Sequence, residues 1–410
     1  MSAALDTPEA LERRLRALAE TLQVHRGLWE PAPFMGLPAG WEGRYPQVAA
    51  WVEGLPEAEI DRLEADIGAA AADPGAPEAL SRWLAEADAL TALEPWPRAP
   101  LAGPLPTLQV AARKGEQIRC FVEAVLPHLP ERGPLVDWCA GKGHLGRALC
   151  VASGRSARAL ELDAALVRSG EALAAKLGVP GMEFVAADAT TPAARQALVG
   201  ATGAVALHAC GHLGDHLMRG AAEAGLGFLA VAPCCYWRLG GAVVYTPRST
   251  AGRETDLRLD LSRLRLACHE ERTGTPRQFA ERRRRMAWRL GLDLLNRAVT
   301  GRAVYTTPPV GFRDLLNLPF REFCEGVSAR LGVALPARWH AEEAEAAGWA
   351  EVRRVRAHGL VRAPFRRPLE LWLALDRALA LVEAGYRVRL GTFCVDALTP
   401  RNLLIVAQRG

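Results

Sequence analysis

Hydrophobic positions follow two rhythms along the chain. From residue 135 to 232, short apolar runs alternate with amphipathic stretches. The runs predict strands at 135–137, 157–162, 183–186, 204–208 and 227–232. Helical periods fill 145–153, 164–177, 192–199 and 214–223 between them. Five strand–helix units with short connections predict right-handed crossovers and an open, doubly wound sheet. Two later runs, 386–393 and 403–408, predict an antiparallel hairpin that closes it. The expected fold class is α/β, a Rossmann-like sheet of seven mostly parallel strands.

The front of the chain has only the helical rhythm. Leu11, Leu15, Leu18 and Leu22 recur at helical spacing, and Pro31, Pro33 and Pro38 break that run. Further helices are predicted over 57–72 and 77–93. Trp29, Trp41, Trp51, Trp83 and Trp96 read as packing residues between short helices. The proline-rich stretch 95–106 reads as a linker. A helix over 107–126 buries Ile118, Phe121, Val122 and Val125 and carries Arg113, Lys114 and Gln117 toward the first strand. The expected domains are a helical one over 1–100 and an α/β one over 107–410, the latter interrupted by a helical, arginine-rich insertion at 240–345.

Composition narrows the class. No apolar run is long enough to span a bilayer, and residues 1–15 lack a basic-then-apolar leader pattern. Nine cysteines stand without disulfide-like spacing, which suits a reducing compartment, so a cytoplasmic location is expected. Charge is uneven: 1–100 carries a balance of −9, whereas 253–302 and 350–410 each carry +6. A polyanion would meet the rear of the chain.

The candidate chemistry begins at 135–146, a strand ending in Asp137, a glycine turn and a helix start. Gly141 and Gly143 can take positive φ, and the turn empties onto a helix N-terminus that favours anionic groups. Gly141-x-Gly143-x-x-Gly146 matches the dinucleotide fingerprint. Asp137 ahead of the glycines points instead to S-adenosylmethionine (SAM). Glu161 ends the second strand about twenty residues on, where an acid accepts from ribose hydroxyls. Asp163 reads as the N-cap of the next helix. Asp188 ends the third strand, where an acid can accept from an adenine amine. The expected cofactor contacts are therefore Lys114, Asp137, Cys139, Gly141 and Lys142. Gly143, His144, Glu161, Asp188 and His208 complete them.

Strands four and five end in His208-Ala209-Cys210-Gly211 and Pro233-Cys234-Cys235-Tyr236. These ends would frame a transferred methyl group. His208 is the candidate base, and Tyr236 could orient the acceptor. Cys234 or Cys235 could act as a nucleophile. A metal held by His208, Cys210, His212, His216, Cys234 and Cys235 is weighed and not expected, because adjacent cysteines are not the spaced pair that zinc sites favour. Arg282, Arg283 and Arg284 with Trp288 read as phosphate and base contacts for a nucleic-acid acceptor.

Residues 139–145, 207–211, 233–236 and Thr399-Pro400-Arg401-Asn402 together resemble a methyltransferase family. It includes the glutathione S-transferase C-terminal-domain-containing protein and related methyltransferase-like proteins. The resemblance spans 107–410 and implies a SAM-dependent methyltransferase. More distantly, the chain is similar to tRNA 2′-O-methyltransferases of the acceptor stem, which share the Gly-Lys-Gly turn, His-x-Cys-Gly and Cys-Cys. Those enzymes follow Cys-Cys with histidine, where this chain has Tyr236-Trp237. RNA is the expected acceptor, with a protein or small molecule as the alternative. A non-catalytic thiol or metal module and a dinucleotide-dependent oxidoreductase are the other readings.

Overall fold

The computed structural model describes residues 5–36, 38–268, 276–305 and 314–409. Contacts gather the chain into two units, each built from separate stretches. The first holds Met1–Gln23, Leu90–His269 and Arg367–Gly410; the second holds Val24–Ala89 and Glu270–Arg366. The first 100 residues and the 240–345 stretch are thus each divided between units.

The first unit contains the sheet. Its strands are β1 Leu135–Trp138, β2 Ala157–Glu161, β3 Met182–Ala186, β4 Gly203–Cys210, β5 Phe228–Cys234, β6 Arg387–Thr392 and β7 Leu403–Gln408. The order is β3-β2-β1-β4-β5-β7-β6. β1 to β5 are parallel, and β7 runs antiparallel to both β5 and β6. This is the open, Rossmann-like, mostly parallel sheet of seven strands expected from the sequence. β1 and β5 are buried along their whole length, which is why they read as continuous apolar runs rather than alternating ones. Strand order reverses between β1 and β4, so a crevice opens at their carboxyl ends. The core beneath includes Phe121, Leu135, Leu149, Val205, Phe228 and Leu404.

Three local expectations shift. The predicted 107–126 helix begins later, at Ala112–Val125, because Gln109 is left-handed with φ 60°. The predicted 57–72 helix is two elements, Glu57–Ala65 and a 3₁₀ turn Ile67–Ala72. Asp66 leaves helical geometry at φ −151° and caps the second element by accepting from Gly68 N. The stretch read as a linker from residue 95 starts inside the sheet unit. Pro95 bridges Thr392, Trp96 N donates to the Thr392 carbonyl, and the buried Trp96 ring donates from Nε1 to the Leu404 carbonyl.

The second unit is helical. Its core includes Trp288, Phe320, Phe323, Val327 and Val352. Arg356, 4% exposed, binds Glu57, Asp61 and Glu64 and so ties the Ala341–Gly359 helix to Glu57–Ala65. Among the described residues, no helix is long and apolar enough to cross a membrane.

Candidate functional site

The turn after β1 is built from left-handed residues. Cys139, Gly141 and Gly143 have φ of 58°, 60° and 68°. Gly143 is needed for space as well as conformation, since a Cβ there would meet the Phe184 ring at 2.9 Å. A Cβ at Gly141 would meet nothing within 4 Å, so open space lies beside its Cα. The turn runs directly into the His144–Ser153 helix, whose first amides face the strand ends.

Acids stand at three successive strand ends. Asp137 is buried, and its Oδ2 accepts from Gly146 N at 2.8 Å. Burial pushes its carboxyl up to about 7, partly offset by that bond. Glu161 Oε2 accepts from Gly141 N at 2.8 Å, and Oε1 accepts from Asp163 N at 3.0 Å. Glu161, expected to meet ribose hydroxyls, thus also braces the glycine turn. Asp163 Oδ1 accepts from Ala165 N and Leu166 N, the N-cap read from sequence. Asp188 Oδ1 accepts from the Thr190 amide and hydroxyl, and these bonds hold its carboxyl below the usual range.

Cations flank the turn. Lys142 Nζ donates to Gln109 Oε1 at 3.1 Å, and Lys114 is exposed. His144 is buried with Nδ1 against Arg147 Nη2 at 2.7 Å. Burial, with Arg147 alongside, lowers its imidazole to about 4. Arg147, itself buried, donates to the Lys142 carbonyl and locks the turn from below. Sequence reading missed Gln109 and Arg147, since neither a mid-helix arginine nor a loop glutamine carries a signal of its own.

The ends of β4 and β5 converge. β4 shifts register between Leu207 and Cys210, and His208 is left-handed at φ 74°. Its Nε2 lies 3.1 Å from Gln117 Oε1. With the amide oxygen as acceptor, Nε2 carries the proton and Nδ1 is left as a lone pair. Burial, then Lys114 and Arg401, lower His208 to about 4, so the ring is neutral at pH 7. Gly211 at φ 57° passes so close to the next segment that a Cβ would sit 2.2 Å from the Arg238 carbonyl oxygen.

Cys210 Sγ and Cys234 Sγ are 3.4 Å apart, and with Cys235 Sγ all three lie within 4.8 Å of one another. Hydrogen bonds from Cys210 and Cys234, with Arg401 and Arg238 nearby, pull the Cys235 thiol down, while Cys234 is pushed up. Of the two cysteines offered as a nucleophile, Cys235 is thus the more acidic and Cys234 the less.

Two further expectations are corrected by burial. Tyr236 is 1% exposed with its hydroxyl enclosed and Arg377 over its ring, so it cannot meet an acceptor arriving from solvent. Trp288 lies in the core of the second unit and donates from Nε1 to Glu345 Oε1, which removes its ring as a stacking platform. Arg283 is ion-paired with Asp61, and Arg284 lies over Trp288. Arg282 is exposed.

Residues 113–241 match a family model described as a methyltransferase domain. This stretch, about a third of the chain, is similar to a methyltransferase domain. It holds β1 to β5 and every candidate residue from Lys114 to Tyr236, and the methyl donor of such a domain on this fold is SAM. No curated protein matches the chain. Three similar solved structures are distant. The MccD protein is 15% identical over 27% of this chain and 51% of its own, with a TM-score of 0.23. Coclaurine N-methyltransferase bound to N-methylheliamine and SAH is 13% identical over 45% and 63%, with a TM-score of 0.26. A point mutant of MtNAS is 12% identical over 54% and 81%, also at 0.26. The chain thus spans about half the length of the first of these. At such identities and TM-scores nothing about substrate follows.

Proposed function

We propose that this chain transfers a methyl group from SAM to an acceptor held at the carboxyl ends of β4 and β5. The observation that carries the reading is the row of acids Asp137, Glu161 and Asp188 around a left-handed turn, inside the stretch similar to a methyltransferase domain. SAM presents an ammonium, two ribose hydroxyls and an adenine amine, all donors, and those acids are acceptors in the matching order. Asp137 and the turn 139–143, with Lys114, Lys142 and His144 around it, would hold the amino-acid end. Glu161 would take the ribose and Asp188 the adenine.

Bound there, SAM supplies a methyl group already activated on a sulfonium. The chain's task is then to aim a nucleophile along the line behind that methyl at about 3–3.5 Å. His208 is suited to orient the acceptor. Its neutral ring offers Nδ1 as a hydrogen-bond acceptor, while Gln117 fixes the ring from the other side.

The acceptor class rests on charge. An RNA acceptor draws on the +6 balance of 253–302 and on the exposed Arg282. It predicts polyanion binding that weakens steeply with salt. Methyl transfer insensitive to salt, from an acceptor in a small-molecule fraction, would replace it. For the cofactor assignment, calorimetry on Gly143→Val and Glu161→Ala should show SAM binding at least about tenfold weaker than wild type. Unchanged affinity in both folded variants overturns the site.

A further inference from the structure

We propose that Cys210, Cys234 and Cys235 form a site for one thiophilic divalent cation of the zinc class. Their sulfur atoms lie within 4.8 Å of one another, with the closest pair at 3.4 Å. Tetrahedral zinc with bonds of about 2.3 Å to sulfur sets its thiolates about 3.8 Å apart. The observed spacing brackets that edge, so small side-chain rotations suffice to seat an ion.

The backbone explains how adjacent cysteines share one site. Consecutive side chains in a strand point to opposite faces. Cys235 escapes this rule because it has left the strand and is left-handed at φ 47°. Cys210 reaches the same place from β4. The register shift after Leu207 and the left-handed His208 bring it opposite Cys234. The spacing objection that sequence raises against a metal is thereby removed. A disulfide between Cys210 and Cys234 would use two sulfurs and leave the third without a function; a cation uses all three.

On binding, the three thiols release their protons to solvent and the sulfurs become ligands. The Cys210 thiol now donates to the His208 carbonyl, and that bond is given up. No fourth His, Cys, Asp or Glu atom among the described residues joins the group. The fourth position is therefore left to water or a small ligand, as in zinc sites that act on a bound molecule. The site does not depend on the SAM assignment, and its test reads metal, not methyl transfer.

The test uses the reduced, full-length chain, stripped with a chelator and reloaded with zinc or cobalt(II). Elemental analysis should find about one equivalent retained per chain, and the cobalt form should show thiolate-to-metal charge-transfer absorption. In alkylation mapping of the wild-type chain, zinc should shield Cys210, Cys234 and Cys235 and leave the other six cysteines labelling as before. Cys210→Ser and Cys235→Ser should each weaken zinc binding by at least about tenfold. Failure of the reduced wild-type chain to retain metal overturns the site, as does zinc shielding of other cysteines instead. Full retention in the triple serine variant does so too. The wild-type measurements stand even if a serine variant fails to fold.

Discussion

At the scale of single residues, the site is governed by burial of titratable groups. Asp137 takes up its proton near pH 7 rather than at 3.8. Between those values the native state holds a proton that the unfolded chain has lost, so this residue stabilises below pH 3.8 and its contribution fades as pH rises through 7. Asp137→Asn should therefore gain on wild type by up to a few kcal/mol between pH 5 and 8, read from urea unfolding. A gain that runs the other way would mean that the acid is already ionised. If Asp137 meets the ammonium of SAM, binding must strip that proton. SAM affinity should then rise from pH 6 to 8, with proton release visible as buffer-dependent calorimetric heat.

His208 works in the opposite sense. Its native value of about 4 lies below the usual 6.5, so the unfolded chain binds the extra proton first. Its stabilising contribution is complete above pH 6.5 and is lost as pH falls toward 4. A pH profile of the proposed methyl transfer should accordingly show no limb near 6.5 from this ring. A limb there that vanishes in His208→Gln would show that the ring titrates normally.

At the scale of elements, short strained connections aim the functional groups. Gly211 adopts a conformation forbidden to other residues and lies against the Arg238 backbone. Gly211→Ala should cost about 2 kcal/mol or more in denaturant unfolding and displace the β4 end. A neutral effect would mean that the segment carrying Arg238 yields easily. Asp376, fully buried on the Arg366–Glu383 helix, accepts from the Tyr245 hydroxyl, the Arg248 and Ser249 amides and the Ser249 hydroxyl. It holds the segment after β5 in place. Asp376→Ala strands those donors and should destabilise by about 3 kcal/mol, checked by the same unfolding curves. Side-chain clusters of this kind were illegible in advance, because Asp376 lies over a hundred positions from its partners and no local pattern links them.

At the scale of the whole molecule, two units share one chain that crosses between them repeatedly. Ligand binding should raise stability by mass action. SAM at a hundredfold excess over its Kd should add about 2.7 kcal/mol to the unit that binds it, seen as a higher melting temperature. No shift at saturating SAM would argue that the folded chain has no site for it.

The sequence by itself determined the sheet. Alternating apolar runs and amphipathic helices dictated seven strands and their parallel majority, because burial on both faces requires such runs. The glycine turn and the acids at strand ends were equally legible, since local backbone demands and residue type sit together in the chain. Tertiary structure alone decided which side chains are enclosed and which meet. Trp288 and Tyr236 share the composition of surface contacts yet are buried, while Cys210, Cys234 and Cys235 converge through a register shift and two left-handed residues. Periodicity fixes which face a residue takes within its own element. Proximity across strands depends on how those elements pack, and a one-dimensional pattern does not contain it.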